Sequence, residues 1–295
     1  PTAVDSEASQ DRVHVDGTLR YKILYISDDE EKTVKSINTT GDFSYGVDVS
    51  NARSGMKTKA RCEVEHIDYR ILNGRKINVK AILKISAKVL DEINQEFISD
   101  IRGVEEIQVL KDKVDIYCYL GESNVVYNAE EDLEIPVGKP PIKELLRSDV
   151  KIVGKDYRVD DNKIIAKGDI NISTLYIGDN EERSIQFMEH EIPFAQFIDL
   201  PGVEERSECE VDYGIKNISI SPSEDSDGEL RVLKAEITVS LDAQATDKRT
   251  MEIISDAYGL RSRIDYDRQL LKINRVISRE KSQVSLKEIV TLDGN

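Results

Sequence analysis

The chain contains no tryptophan, and only three cysteines, three methionines and seven prolines among its 295 residues. Aromatic residues are 6% of the total. Without tryptophan, and with 12 Tyr and 5 Phe, it lacks the material for an aromatic ligand cage or a sugar-stacking platform. Cys62, Cys118 and Cys209 are too few for a disulfide framework and show no C-x-x-C spacing. No apolar run approaches the roughly 18 residues that a membrane helix needs. No G-x-S-x-G, phosphate-binding loop or G-x-G-x-x-G stands anywhere in the sequence, and no nucleophile–base pair is apparent. Pro1 to Asp11 is polar and acidic, carries no signal-peptide pattern, and reads as a flexible arm. Such a chain is expected to stay in a cytoplasm or to leave it by a route other than classical secretion.

What the chain has in excess is negative charge. Fifty-seven Asp and Glu oppose 41 Lys and Arg, a formal net charge of −16. That surface repels nucleic acid and anionic lipid, so neither is expected as a partner. Hydrophobic residues make up 39% and charged residues 33%, polar for a globular protein but too apolar for disorder throughout. The length suits two domains of about 100–200 residues each.

The sequence is written twice. Gly17 leads into Leu24-Tyr25-Ile26, and Gly168 leads into Leu175-Tyr176-Ile177, both pairs at an offset of 151 residues (168 minus 17). Cys62-Glu63-Val64-Glu65 answers Cys209-Glu210-Val211-Asp212, and Val79-Lys80-Ala81 answers Leu233-Lys234-Ala235. Lys143-Glu144 answers Lys287-Glu288. A repeat of this length can bury its own core, so it reads as two copies of one domain rather than a solenoid unit.

Period-two alternation dominates. Leu19, Tyr21, Ile23 and Tyr25 alternate with polar residues; so do Ile77, Val79, Ala81, Leu83 and Ile85, and then Leu233, Ala235, Ile237, Val239 and Leu241. This is the pattern of antiparallel strands with one face buried. The phase slips between Val64 and Ile67, and again between Ile215 and Ile218, which predicts a bulge or corner in each copy. Pro140-Pro141-Ile142-Lys143-Glu144-Leu145-Leu146 and Ser285-Leu286-Lys287-Glu288-Ile289-Val290 each predict a short helix. The expected organisation is an arm over 1–11, one domain over 12–147 and a second over 148–295. The fold class is all-β: two tandem antiparallel sandwich-like domains, each with a short helix.

The residues that carry chemistry elsewhere are isolated here. His14, His66 and His190 have no metal-ligand partner at recognised spacing and read as structural or surface histidines. Cys62 and Cys209 occupy matching positions on inward strand faces, so both are expected to be buried, unpaired core residues. Cys118 is the candidate for an exposed thiol or an inter-subunit link, with a core position ranking ahead even there. Ser221 to Glu229 has the composition of a calcium loop but lacks the complete spacing and reads as a solvated hairpin turn. Asp28-Asp29-Glu30-Glu31 and Gly178-Asp179-Asn180-Glu181-Glu182 are equivalent solvated acidic turns. No catalytic residue, cofactor site or metal ligand is assigned, and the chain does not read as an enzyme.

The opening from Gly17 to Leu24-Tyr25-Ile26, the Val79-Lys80-Ala81 strand, Lys139-Pro140-Pro141-Ile142-Lys143-Glu144-Leu145-Leu146 and Met251-Glu252-Ile253-Ile254-Ser255-Asp256-Ala257-Tyr258 resemble the SPOCS domain. The first copy departs from the last motif with Glu105-Glu106-Ile107-Gln108-Val109-Leu110. The resemblance spans nearly the whole chain in two copies. It implies a relative of clostridial spore-coat assembly proteins and spore-appendage subunits, placed at the spore surface and made in the mother-cell cytoplasm without a signal peptide. SipL-like coat-assembly members add a LysM peptidoglycan-binding module, and no LysM pattern stands here. The expectation is therefore a self-assembling structural subunit whose chief partner is itself, with other spore-coat proteins as further partners. The alternative is an adaptor that binds a coat morphogenetic protein. Residues 1–11 and Leu271 to Val290 are the candidate connectors between subunits.

Overall fold

The computed structural model of the chain describes residues 2–28, 32–91, 96–102, 106–260, 263–265 and 267. Those residues form strands and turns, with no helix among them. The strands are β1 (Thr2–Ser9), β2 (Arg12–Ile26), β3 (Val34–Asp48), β4 (Lys57–Asn73), β5 (Lys76–Leu90), β6 (Ile107–Glu134), β7 (Ile142–Asp160), β8 (Lys163–Gly178), β9 (Ile185–Asp199), β10 (Glu208–Ser223) and β11 (Val232–Gly259). They build sheets in the orders β1-β2-β3, β4-β5, β7-β8-β9 and β10-β11-β6.

The 151-residue offset holds at atomic detail. In β2–β3, Arg12 pairs with Asp48 and Gly17 with Phe43; in β8–β9, Lys163 pairs with Asp199 and Gly168 with Phe194. β1 has an irregularity between Thr2 and Asp5, and β7 repeats it between Val153 and Asp156. The turn after each first strand is also the same. Asp11 (φ 54°) and Asn162 (φ 61°) take the left-handed conformation that short polar side chains tolerate. Their Oδ1 atoms accept from Asn51 N (2.7 Å) and Gly202 N (2.8 Å). Their own amides donate to Ala52 O and Val203 O. Each loop is thus tied to the hairpin turn beneath it, and Ala52 and Val203 are sealed inside.

The two copies differ in how completely they close. In the second copy, the sheets β7-β8-β9 and β10-β11-β6 share one core. Ile164, Ile170 and Ile172 of β8, Phe194 and Ile198 of β9, Ala235, Ile237, Val239 and Leu241 of β11 and Ala129 of β6 all meet there. Burying each large aliphatic side chain contributes about 1.5–3 kcal/mol. β6 is the third strand of the inner sheet, and its antiparallel place beside β11 is marked by Asn128 accepting from Thr238 Oγ1 at 2.9 Å. In the first copy, Ala8, Val13, Val15, Leu19 and Ala52 are buried, but no residue of β4 or β5 is. Its inner sheet is the two-stranded β4-β5. Alternation in β5 is as expected, with the row from Ile77 to Val89 less exposed than the row between, yet only half-buried.

Three expectations need correction. Residues 140–146 do not form a helix: Ile142 to Leu146 open β7, which carries register irregularities between Ile142 and Glu144 and between Leu145 and Arg147. The first bulge sets Leu145 opposite the inward Tyr176, so that Ile142 and Leu145 both join one core cluster and an i, i+3 apolar spacing arises in a strand. The companion helix expected over Ser285 to Val290 lies outside the described residues. The N-terminal segment is no free arm: Thr2–Ser9 is β1, paired antiparallel with β2. Finally, Tyr213 rather than Cys209 is the counterpart of Cys62. The turn bonds Met56 N to Arg53 O and Ser207 N to Glu204 O keep the 151 offset up to the starts of β4 and β10. The next bond keeps it too: Thr58 Oγ1 donates to Ser6 O, and Tyr157 OH donates to Cys209 O.

By compactness the chain divides into two units, Pro1–Gln95 with Leu120–Ala245, and Glu96–Tyr119 with Thr246–Asn295. The first holds both copies of the repeat, and the expected boundary at residues 147 and 148 falls inside β7. In the second, the start of β6 and the end of β11 are joined by Ser255 Oγ donating to Leu110 O and by Thr250 Oγ1 donating to Asp115 Oδ1. Ile254 N donates to Ile98 O, which adds the segment after β5 to that ribbon.

Candidate interaction surface

The residues that would carry chemistry stay apart. His14 is exposed on β2, and His66 is exposed at the irregularity that follows Val64 in β4, where the phase slip was expected. His190 is half-buried on β9. Its Nε2 lies 2.9 Å from Glu134 O, so it donates there, and its Nδ1 is buried without a hydrogen-bond partner. The three thiols are free and half-buried. Burial pushes the thiols of Cys62 and Cys209 above their usual range, which holds them in the unreactive protonated form. Cys118 lies on β6.

The acidic clusters are similarly self-contained. Asp225 Oδ1 accepts from Asp227 N (2.9 Å) and Glu229 N (3.0 Å), so the loop over 221–229 closes on its own carboxylate. A shallow open hollow on the outer face of β1-β2-β3 is lined by Asp5, Asp16 and Asp42. Thr18 Oγ1 donates to Asp42 Oδ1 there at 2.8 Å. Among the described residues, no group of three or more His, Cys, Asp or Glu is arranged to hold a metal ion.

Charge has a clearer use where the two copies meet in the first unit. Lys22 Nζ donates to Ser148 O and pairs with Asp149 at 3.3 Å. Lys57 reaches Glu122 at 2.8 Å, while Lys59 and Arg61 both reach Asp212. The first copy supplies cations and the second carboxylates. These pairs are partly exposed, so each contributes about 0–1 kcal/mol and fixes orientation more than it adds stability.

The feature that stands out is apolar. In the far half of β4, Ile67, Tyr69 and Ile71 are exposed, with Leu72 beside them. The first three resume the apolar alternation at Ile67 after the phase slip, and they pair with Ala81, Val79 and Ile77 of the less exposed row of β5. Their counterparts Ile218 and Ile220 are half-buried, and Ile220 packs against the buried cluster that holds Ile135 and Met188. Across the cleft the contrast repeats. Ile37 on β3 is 42% exposed, whereas its counterpart Met188 on β9 is 3% exposed. An exposed apolar face of this kind marks an interaction surface.

The model of the family described as SipL, SPOCS domain matches residues 1–72 and 141–223. The two stretches end 151 residues apart (223 minus 72) and cover β1 to β4 and β7 to β10. No curated protein and no solved structure matches the chain.

Proposed function

The chain belongs to the SipL SPOCS-domain family, a spore-associated family, and on that footing we propose that it is a non-catalytic, self-assembling subunit of a bacterial spore surface layer or spore appendage. The observation that carries this reading is the incompletely closed first copy. It leaves Ile67, Tyr69 and Ile71 in solvent on the two-stranded sheet β4-β5. A monomer gains nothing from such a face, whereas a subunit buries it against a neighbour. Contacts of that kind that do not close on themselves generate a filament, ribbon or lattice. Association through strands also tolerates an acidic surface, because backbone hydrogen bonds supply the affinity. An adaptor of the spore coat is the second reading, favoured by the same face if its occupant is another protein. Negative-stain microscopy of the purified chain separates the two: a subunit forms ordered polymers alone, and uniformly dispersed particles at all concentrations would refute the proposal.

A further inference from the structure

The second copy contains a template for what the first copy leaves open. There, β7 lies against β10, β8 shares one core with β11, and β9 lies over β6. The last pair is visible in Tyr127, whose ring stacks on Phe194 at 5.6 Å between centroids, and in the His190–Glu134 hydrogen bond. Val125, Leu133 and the buried Ala129 of β6 complete that core. In the first copy β1 meets β4 through the Ser6–Thr58 hydrogen bonds, and β3 carries Phe43 where β9 carries Phe194. No strand lies at the place of β6 among the described residues, because the inner sheet ends at β5. The inward residues of β3 show it: Tyr45 is 60% exposed and Ile37 is 42% exposed.

The chemistry of an occupant can be read from the same template. β6 alternates inward Val125, Tyr127 and Ala129 with outward Asn124, Asn128 and Asp132. Asn124 bonds to Asp242 and Asn128 to Thr238 of β11, so four residues further along each strand Asp132 comes opposite Lys234. Lys234 corresponds to Lys80 in the repeated Val79-Lys80-Ala81 motif. β5 extends that charge, with Lys76, Lys80, Lys84 and Lys88 all on its exposed face. On a chain of net charge −16, this is a basic strip along an open sheet edge. From this geometry we infer that the first copy is a strand acceptor. It takes up, between the edge of β5 and the inner face of β3, an extended segment of a partner polypeptide that alternates apolar with amide or acidic side chains. The segment pairs its backbone with β5, sets an aromatic or aliphatic side chain on Phe43, and brings a carboxylate to Lys80. This goes beyond the subunit reading, since a strand acceptor serves an adaptor equally well.

The test uses the full chain and a fluorescent synthetic peptide of residues 120–134, the strand that fills this place in the second copy, followed by anisotropy. The expected result is saturable binding that weakens at least tenfold in Ile37→Glu and in Lys80→Glu. Both positions face solvent, so these variants keep the fold. Salt should weaken binding to the parent chain and hardly change binding to Lys80→Glu. A peptide with Tyr127→Ser should bind more weakly. No binding, or binding indifferent to both variants, overturns the inference. Peptide binding that appears only after truncation at Leu260 would identify the chain's own residues 261–295 as the occupant and overturn the partner assignment. So would self-association that the peptide reverses, which would name a second copy as the donor. Ordered polymers from a chain that ignores the peptide would keep the subunit reading and remove this one, and peptide binding without polymers would do the reverse.

Discussion

The ring of Phe43 lies across the backbone of Gly17, its cross-strand partner, so closely that a Cβ on Gly17 would stand 2.6 Å from the ring. Phe194 and Gly168 repeat the arrangement 151 residues later, with a Cβ placed at 3.0 Å. A glycine in mid-strand is unfavourable by itself. Here the aromatic ring fills the missing side-chain volume and covers the exposed backbone.

Gly168→Ala should destabilise the chain by about 1–3 kcal/mol, the usual effect of overpacking a closed core. Phe194 cannot swing away, because Tyr127 and Tyr213 lie at 5.6 and 6.4 Å from it. Gly17→Ala should cost less although its contact is tighter, since Phe43 is half-buried on an open face and can rotate outward. Urea denaturation of the two variants compares them, and equal losses would show that the first copy is as tightly closed as the second.

Ile237→Ala should cost about 2–5 kcal/mol, as expected for a large residue removed from a sealed core. Leu83 occupies the matching position of β5 and is only half-buried, so Leu83→Ala should cost roughly half as much or less. Thermal melts of the pair decide the matter. Equal effects would mean that something covers β5 in solution.

Acid should loosen the first copy's turn before the second's. The Asp11 carboxyl is held below its usual range because it accepts from the Gln10 side chain and from Asn51 N. A depressed folded value means that the bond is fully present above an unfolded value of about 3.9 and is lost as pH falls through the folded one. Asn162, its counterpart, does not titrate. In an NMR titration below pH 5 the Asn51 amide should move while the Gly202 amide stays. Movement of both would point to general unfolding instead.

Alkylation of Cys62 and Cys209 at pH 8 should be slower in the folded chain than in urea, because burial both shields the sulfur and raises its pKa. Mass spectrometry of peptides after timed iodoacetamide treatment measures each rate. Equal rates folded and unfolded would contradict the placement of these residues.

The alternation of Ile77 to Ile85 and of Leu233 to Leu241, and the phase slip after Val64, were legible because side-chain direction in a strand is a local, two-residue property. The helix expected over Pro140 to Leu146 failed for a related reason. A bulge in β7 brings Leu145 to the same side as Ile142, the three-residue spacing of a helix in a strand, and periodicity alone does not tell the two apart. The match of Cys62 to Cys209 failed because its offset is 147 (209 minus 62) rather than 151. A slip of four residues preserves inward and outward faces, so nothing in the alternation reveals it. The candidate surface was half legible. Ile67, Tyr69 and Ile71 were recognisable as one apolar face, but whether anything covers that face depends on a strand from elsewhere in the chain.

By itself, then, the sequence determined the all-β class, the two copies and their offset, and the facing of residues in the regularly alternating strands. Tertiary structure decided which edges pair. It placed Thr2–Ser9 beside β2 as the strand β1 and made β6 the third strand of the second copy's inner sheet. The physical reason is that alternation is set by the geometry of successive residues, while strand partnership is set by long-range competition for backbone hydrogen bonds and apolar cover. Phe43 and Phe194 therefore read alike in the sequence, and only the fold leaves one half-open and seals the other beneath Tyr127.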